Sequence, residues 1–552
     1  MMQPRKLFLT VTCLTALGLF LAGCAPAAAP TATPKPAAPA PKAPAPTPKP
    51  AAEQPQYGGT FTSCITGNPP SLDVQQESTS NLSVPIAPIY TQLIQAHPLT
   101  ADKWVPGLAE KWEMSKDGLT WTFNIRQGVK FHDGTTFSVD DAVFNLKRIT
   151  DPPKGIRSNL SFLLKPVVKS IEKEGNAVKV TLNHPFAVML DTLGHQYCSM
   201  YSQKYVEEKG DMKTSAMGTG PFKFTSYSPA MSIEGVKNPD FWVKGRPYLD
   251  SYRVIIIKDA ATRLSAFRTG KLSITGRTFA ALLPTDMETV KKENSALKFY
   301  PSPTLIGSWF FMNTRKPPFK DQRVRKAISL ALDRQAALKV MAHGYGVISK
   351  PFPVEPWGIP EDDLLKMPGY RQPKDADLAE AKKLMQAAGY PDGFELTILA
   401  RQMWQSKDVA TFMTGQLAQL GIKAKVQVLE DAIFWDTGRK AGHEAMVYTP
   451  FWSFTDPHWM GRYWAPGNPL NFSGNEDDKE LTQMWDEQIK TVDQEKRRAL
   501  IRKVGEHMLD SLPGVSVVWY HQFLGVHPEV RDFYPGMGDS VCGTLEEIWL
   551  TK

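Results

Sequence analysis

His443 and Glu444 open a stretch resembling HExxH, the pattern by which a helix presents two zinc-binding imidazoles and a general base. Val447 stands where the second imidazole is required, so a metal there lacks its ligand one turn on. Gly218-Thr219-Gly220 begins like a dinucleotide loop and runs straight into Pro221. There is no GxxxxGK[ST] phosphate loop and no GxSxG nucleophile elbow, which removes the common routes to ATP hydrolysis and acyl transfer. His132-Asp133 sets an imidazole beside a carboxylate, but Asp133-Gly134 is a turn pair, and the turn is the better account. These residues describe a protein that is not an enzyme, with no catalytic residue, no metal site and no cofactor.

Aromatic side chains are more informative. Trp404, Trp435, Trp452, Trp459 and Trp464 fall within one stretch rich in loops. Indole faces in a cleft hold apolar or cationic solutes by burial and cation–π attraction. Each tryptophan alone is equally explained by core packing; Trp404, Trp435 and Trp452 are the candidates for lining a cleft. The chain has 552 residues and a net charge of +8. Arg5, Lys6, Lys35, Lys42 and Lys49 against Glu53 place half of that charge in the first 56 residues. No dense basic patch remains for nucleic acid. Hydrophobic content of 42% with 22% charged residues fits a globular protein large enough for several cores.

Those first 56 residues are a different polymer. Residues 1–24 read as an export signal: Arg5 and Lys6, an apolar run from Leu7 to Phe20, then Leu21-Ala22-Gly23-Cys24, which looks like a lipobox. The apolar run is shorter than the roughly 20 residues of a spanning helix. Cys24 is the expected lipidation site, anchoring the chain at the outer side of the cytoplasmic membrane, in the periplasm or at the cell surface. Residues 25–56 are almost only Ala, Pro, Thr and Lys, a disordered tether. At about 3.1 Å per residue it reaches on the order of 90 Å. With Cys13 removed and Cys24 lipidated, Cys64, Cys198 and Cys542 remain. Pairing of Cys64 with Cys542 and buried free thiols both stay open.

The elements that carry the candidates follow from periodicity. Leu119, Trp121, Phe123 and Ile125 alternate with polar residues, as in a half-buried strand. Ser138 caps a helix with Asp140 and Asp141 in its first turn. Val254 to Ile257 is a short apolar run suited to a buried strand. Asp321 caps a helix striped by Val324, Ile328, Ala331 and Leu332. Another opens at Asp375, with Leu378, Ala381, Lys382 and Met385 covering about three turns, and stops at Gly389. Strand, helix and strand then follow to Val428, the unit of an α/β domain.

Four segments in order resemble the family 5 extracellular solute-binding proteins, the bacterial dipeptide-, oligopeptide- and nickel-binding group. The first joins PGLAEKWE (106–113), DGLTWTF (117–123) and VKFHDGT (129–135). The second joins GTGPF (218–222), NPDFW (238–242) and PYLD (247–250). The third joins MNT (312–314), PPF (317–319), RVRKAI (323–328) and ALDR (331–334). The fourth joins AAGYP (387–391), GF (393–394) and LGI (420–422). The resemblance implies an α/β, two-lobed periplasmic-binding-protein fold of type II with an extra domain. Lobe I would comprise 57–98, 216–305 and 523–552, the inserted domain 99–215, and lobe II 306–522. It implies a monomer that captures a small solute, a peptide by default, by hinge closure. The solute then passes to the permease subunits of an ABC importer driven by a separate ATPase. Opines, sugars, metal chelates and other cations are the alternative solutes, and a surface-anchored hydrolase the alternative function.

The resemblance also points to site residues. Gly220 is expected near the hinge, with loops around Trp404 and Trp452 on the far side. Peptide-binding relatives carry Asp-x-x-Asp-Pro, whose first Asp pairs with the peptide's α-amine. Here the segment is Ser453-Phe454-Thr455-Asp456-Pro457, so Ser453 occupies the amine position and only Asp456 matches. A hydroxyl does not neutralise a buried ammonium. Ordinary di- and tripeptides are therefore expected to bind weakly, or through Glu430, Asp431 or a shifted Asp456.

Overall fold

A computed structural model describes residues 53–97, 100, 103–210, 212–402, 405–450, 456–468, 470–535 and 545–551. Cys24, the export signal and nearly all of the tether lie outside them, as do Trp404, Trp452, Ser453 and Cys542. Among the described residues no helix is long and apolar enough to cross a membrane.

Strand β1 (Thr60–Ile65) begins the first sheet. The chain then leaves it to build a second, fully antiparallel sheet from β2 (Ala109–Met114), β3 (Thr120–Ile125), β4 (Val168–Glu174) and β5 (Ala177–Leu182), in the order β2-β3-β5-β4. The alternation along β3 is realised, with Trp121, Phe123 and Ile125 in the core. Helix α1 (Val139–Thr150) covers that core through Leu146 and Ile149. It starts with a complete capping box: the Ser138 hydroxyl accepts from the Asp141 N–H, and Asp141 accepts from the Ser138 N–H.

Strands β6 (Phe222–Ser228), β7 (Ser232–Lys237) and β8 (Ser251–Ile256) return to β1, giving the order β1-β8-β7-β6 with β1 and β8 parallel. The run at 254–257 supplies β8, where Val254 and Ile256 are buried.

The third sheet begins with β9 (Lys298–Met312). After helices α2 (Gln322–Ala331) and α3 (Asp375–Ala387) come β10 (Glu395–Arg401), α4 (Ser406–Ala418), β11 (Lys423–Leu429), α5 (Asp431–Arg439) and β12 (Ala445–Tyr448). Helices α6 (Lys479–Lys490) and α7 (Gln494–Ser511) precede β13 (Gly514–Val526). The sheet runs β13-β9-β12-β10-β11, with the short strand Gly346–Val347 outside β13; β12, β10 and β11 are parallel neighbours. Asp321 accepts from the Arg323 N–H at the start of α2. Helix α3 stops at Gly389, whose φ of +87° suits glycine. On α3, Ala381 and Met385 are buried and Lys382 faces solvent, where its ammonium stays hydrated.

Strands β9 and β13 pair antiparallel from Lys298 opposite Val526 to Phe311 opposite Gly514. Their outer halves belong to different cores. Phe310, Met312, Val515 and Val517 pack in the third sheet's core, whereas Leu524 and Val526 pack beneath the first sheet. The register breaks between Pro303 and Ile306, and again between Ser308 and Trp309. Such irregularities bend a strand pair where they occur. Beside them the Ser308 hydroxyl lies 2.8 Å from the Thr449 hydroxyl and 3.1 Å from that of Tyr520.

Candidate functional site

In open α/β sheets ligands meet the carboxyl ends of parallel strands. Here β10 ends at Arg401, β11 at Leu429 and β12 at Tyr448. Arg401 binds Asp431, the first residue of α5, through two parallel hydrogen bonds, one of them 2.9 Å from Nε to Oδ1. Those bonds hold the Asp431 carboxyl below its usual range. The Arg401 guanidinium carbon stands 5.5 Å from the Trp435 ring centre and 5.7 Å from that of Tyr448. Trp435 is half-buried and meets Tyr448 edge-on at 5.1 Å, with Phe472 behind it at 5.7 Å. Trp404 follows β10 in the chain, and Trp452 and Ser453 follow β12; all three lie outside the described residues.

Asp456 sits behind this rim, before the turn Pro457–Tyr463. Both its oxygens are occupied. Arg497 of α7 donates from Nη1 to Oδ2 at 2.6 Å and from Nη2 to Oδ1 at 2.7 Å, and the His458 N–H donates to Oδ1 at 2.9 Å. Gln488 accepts the remaining Arg497 donors, and the guanidinium carbon lies 4.9 Å from the Trp357 ring centre. Asp456 is 5% exposed and Arg497 3%, so the pair is screened from water and has its own neutrality. A ligand amine reaches that carboxylate only by displacing the arginine. Nothing in the sequence pointed to Arg497, which lies 41 positions away.

The other tryptophans divide between packing and bridging. Trp464 is 1% exposed and packs edge-on to Trp485 at 4.6 Å. Trp459 donates from Nε1 to Asp191 at 2.9 Å, joining the third-sheet region to residues of the 99–215 stretch.

Gly220 is placed where the backbone crosses itself. A Cβ there would lie 2.5 Å from the Pro88 carbonyl oxygen, which leaves room for glycine alone. Its carbonyl accepts from Asn238 at 3.0 Å and from His132 Nε2 at 3.1 Å, while His132 Nδ1 accepts the Gly218 N–H at 3.3 Å. His132 is thus a neutral clip between the second sheet's turn and the glycine segment. Similarly, His443, two residues before β12, hydrogen-bonds the Phe472 carbonyl at 2.8 Å, and Glu444 accepts the Thr397 N–H. The HExxH-like stretch runs into a strand, not along a helix. Among the described residues no group of three His, Cys, Asp or Glu side chains is assembled to hold a metal. Cys64 and Cys198 are buried free thiols, and burial pushes Cys64 up to about 11.

Burial lowers His132, His443 and His458 to about 4 each, from an ordinary 6.5. Between those values the unfolded chain binds protons that the folded chain refuses. The stability is complete above pH 6.5 and falls as pH drops toward 4, by up to about 3 kcal/mol per histidine. The expected result is a urea midpoint that declines steadily from pH 6.5 to 4.5, with a shallower decline for His443→Gln. A flat midpoint over that window contradicts the neutral-imidazole assignment.

Comparisons with known proteins agree with one another. The family model "Bacterial extracellular solute-binding proteins, family 5 Middle" matches residues 103–473. The glutathione-binding protein GsiB of Salmonella typhi is 29% identical over 432 residues, 74% of this chain and 80% of that protein. Among solved structures, the periplasmic binding protein DppA of Helicobacter pylori, in complex with the peptide STSA, is 26% identical. It superposes with a TM-score of 0.73 over 90% of this chain and 99% of its own. The binding protein AgaA of A. tumefaciens R10, in complex with agropinic acid, is also 26% identical, with a TM-score of 0.69 over 90% and 99%.

Proposed function

The chain belongs to the bacterial extracellular solute-binding proteins of family 5, with the two-lobed type II fold, and on that premise we propose that it is the lipid-anchored receptor of an ABC importer for a small peptide-class solute. Lobe I carries the first sheet, lobe II the third, and 99–215 is the inserted domain. The observation that supports capture by closure is the pair β9 and β13, the two strands shared by both cores and irregular where they pass between them. Rotation about that crossing brings lobe I over the ends of β10 and β12. Arg401, Trp435 and the residues around Trp404, Trp452 and Ser453 then face the solute. A solute that touches both lobes favours the closed form by its differential affinity. The permease reads closure, and the ATPase supplies the energy.

Cys24 carries the lipid in this account. Cys24→Ser should move the protein into the soluble extract; retention on the membrane would refute the anchor.

The amino end of the solute is the point of departure from peptide-binding relatives. Ser453 stands at the amine position, Asp456 is bound by Arg497, and Asp431 is bound by Arg401. Glu430, exposed at the end of β11, is the remaining acid of those named. A solute without a free α-amine at that end is favoured, and agropinic acid on AgaA illustrates a non-peptide occupant of this fold. Calorimetry with one tripeptide in free and N-acetylated forms tests this directly. Near-equal affinities are expected, because among the described acids at these strand ends Asp456 and Asp431 are already paired and Glu430 is exposed. An unpaired buried charge costs about 3–5 kcal/mol, so a hidden amine anchor would instead show as about two to three decades of affinity lost on acetylation.

A further inference from the structure

Away from the strand ends of lobe II, a second cavity opens where residues 87–92 meet the turn Gln196–Cys198 and the loop Phe241–Val243. It encloses about 520 Å³, counting its open mouth. Tyr90, Gln92, Gln196, Trp242 and Glu546 line it, and none of them belongs to the site described above.

Four polar atoms of this lining are buried and make no hydrogen bond to any described residue: Tyr90 Oη, Trp242 Nε1, Gln196 Nε2 and Glu546 Oε2. Gln196 is 4% exposed. Buried polar atoms are normally satisfied, and four orphans around one opening indicate a partner that the protein does not supply. Their chemistry is mixed. Trp242 and Gln196 offer N–H donors, and Glu546 offers an acceptor that becomes an anion. One face of the Trp242 ring is already covered by the Arg126 guanidinium, 4.6 Å from the ring centre, so an occupant meets the indole at its N–H edge.

We propose that this cavity binds a small polar molecule of amino-acid size, its ammonium on the Glu546 carboxylate and its oxygen acceptor on the Trp242 N–H and the Gln196 amide. The charges near Glu546 are mixed: Arg246, bound to Glu547, favours its ionisation, and Glu547 opposes it more strongly, which leaves room for an external cation. Burial pushes the Glu546 carboxyl up to about 7. An ammonium seated there reverses that shift, so binding at pH 7 releases a proton.

Calorimetry on the mature chain, with glycine and ethanolamine as probes in two buffers of different ionisation enthalpy, tests the proposal. Saturable millimolar or tighter binding with proton release is expected. Glu546→Gln should weaken it by about tenfold or more, at ~1.4 kcal/mol per decade. Gln196→Leu should weaken it less, and Arg401→Met, which alters only the strand-end site, should leave it unchanged. Equal binding by wild type and Glu546→Gln overturns the proposal, as does loss of binding in Arg401→Met. A crystal grown with glycine that shows only water in the cavity overturns it too.

Discussion

Arg497→Met should destabilise the protein by about 3–5 kcal/mol, the usual result of stranding one member of a buried ion pair. The Asp456 carboxylate keeps the His458 N–H at 2.9 Å but loses both guanidinium bonds, and it has almost no access to water. The Gln488 side-chain oxygen loses its Arg497 donors at the same time, while its amide keeps His458 at 2.9 Å. Denaturant midpoints of four proteins check this: wild type, Arg497→Met, Asp456→Leu and the double variant. The double variant removes both charges and should recover most of the loss. If Arg497→Met alone costs under about 1 kcal/mol, the pair behaves like a surface bridge and its carboxylate is available to ligands after all.

Arg148→Met is the second large effect expected, of the same order. Arg148 on α1 donates to Asp73 at 2.6 Å and also to Gln75. Tyr201 donates to the other Asp73 oxygen at 3.0 Å, and the Gln75 amide donates to Asn145 and to the Ser199 carbonyl at 2.9 Å each. Asp73 is 1% exposed. This network fastens the segment after β1 to α1 and to residues 199–201, so its loss should loosen the contact with the 99–215 stretch before the third sheet melts. Fluorescence from a probe on the second sheet should shift to lower denaturant while a probe on the third sheet does not. Coincident shifts at both probes would mean that the joint is not the weak point.

Local chemistry was legible in the sequence. The capping box at Ser138, the alternation at Trp121, Phe123 and Ile125, and the glycine stop at Gly389 depend on neighbours a few positions apart. Long-range partners were not legible. Arg497 reaches Asp456 only because α7 packs against the turn at 457–463, and no pattern around either residue announces it. Trp464 and Trp435 look alike in sequence, yet one is enclosed by Trp485 and Phe352 while the other stands at the rim beside Arg401. Strand β9 was hidden by Pro301 and Pro303, which argue against a strand wherever both edges are paired. The structure accommodates them where β9 is paired with β13 alone, since β12 joins it only from Trp309, and the register breaks just after Pro303.

The shared strands also govern how the chain must fold. Pairing Trp309 with Ser516 closes a loop of roughly 200 residues, which costs about 5 kcal/mol of chain entropy before any contact compensates it. The strand that completes both cores is the last long one to be synthesised. Until residues 514–526 arrive, the third sheet lacks an inner strand and the core beneath the first sheet lacks Leu524 and Val526. Slow, late assembly dominated by non-local contacts is therefore built into the topology. On the proposed reading of residues 1–24 as an export signal, the same delay lengthens the interval in which the chain is still linear enough to be threaded through a membrane pore.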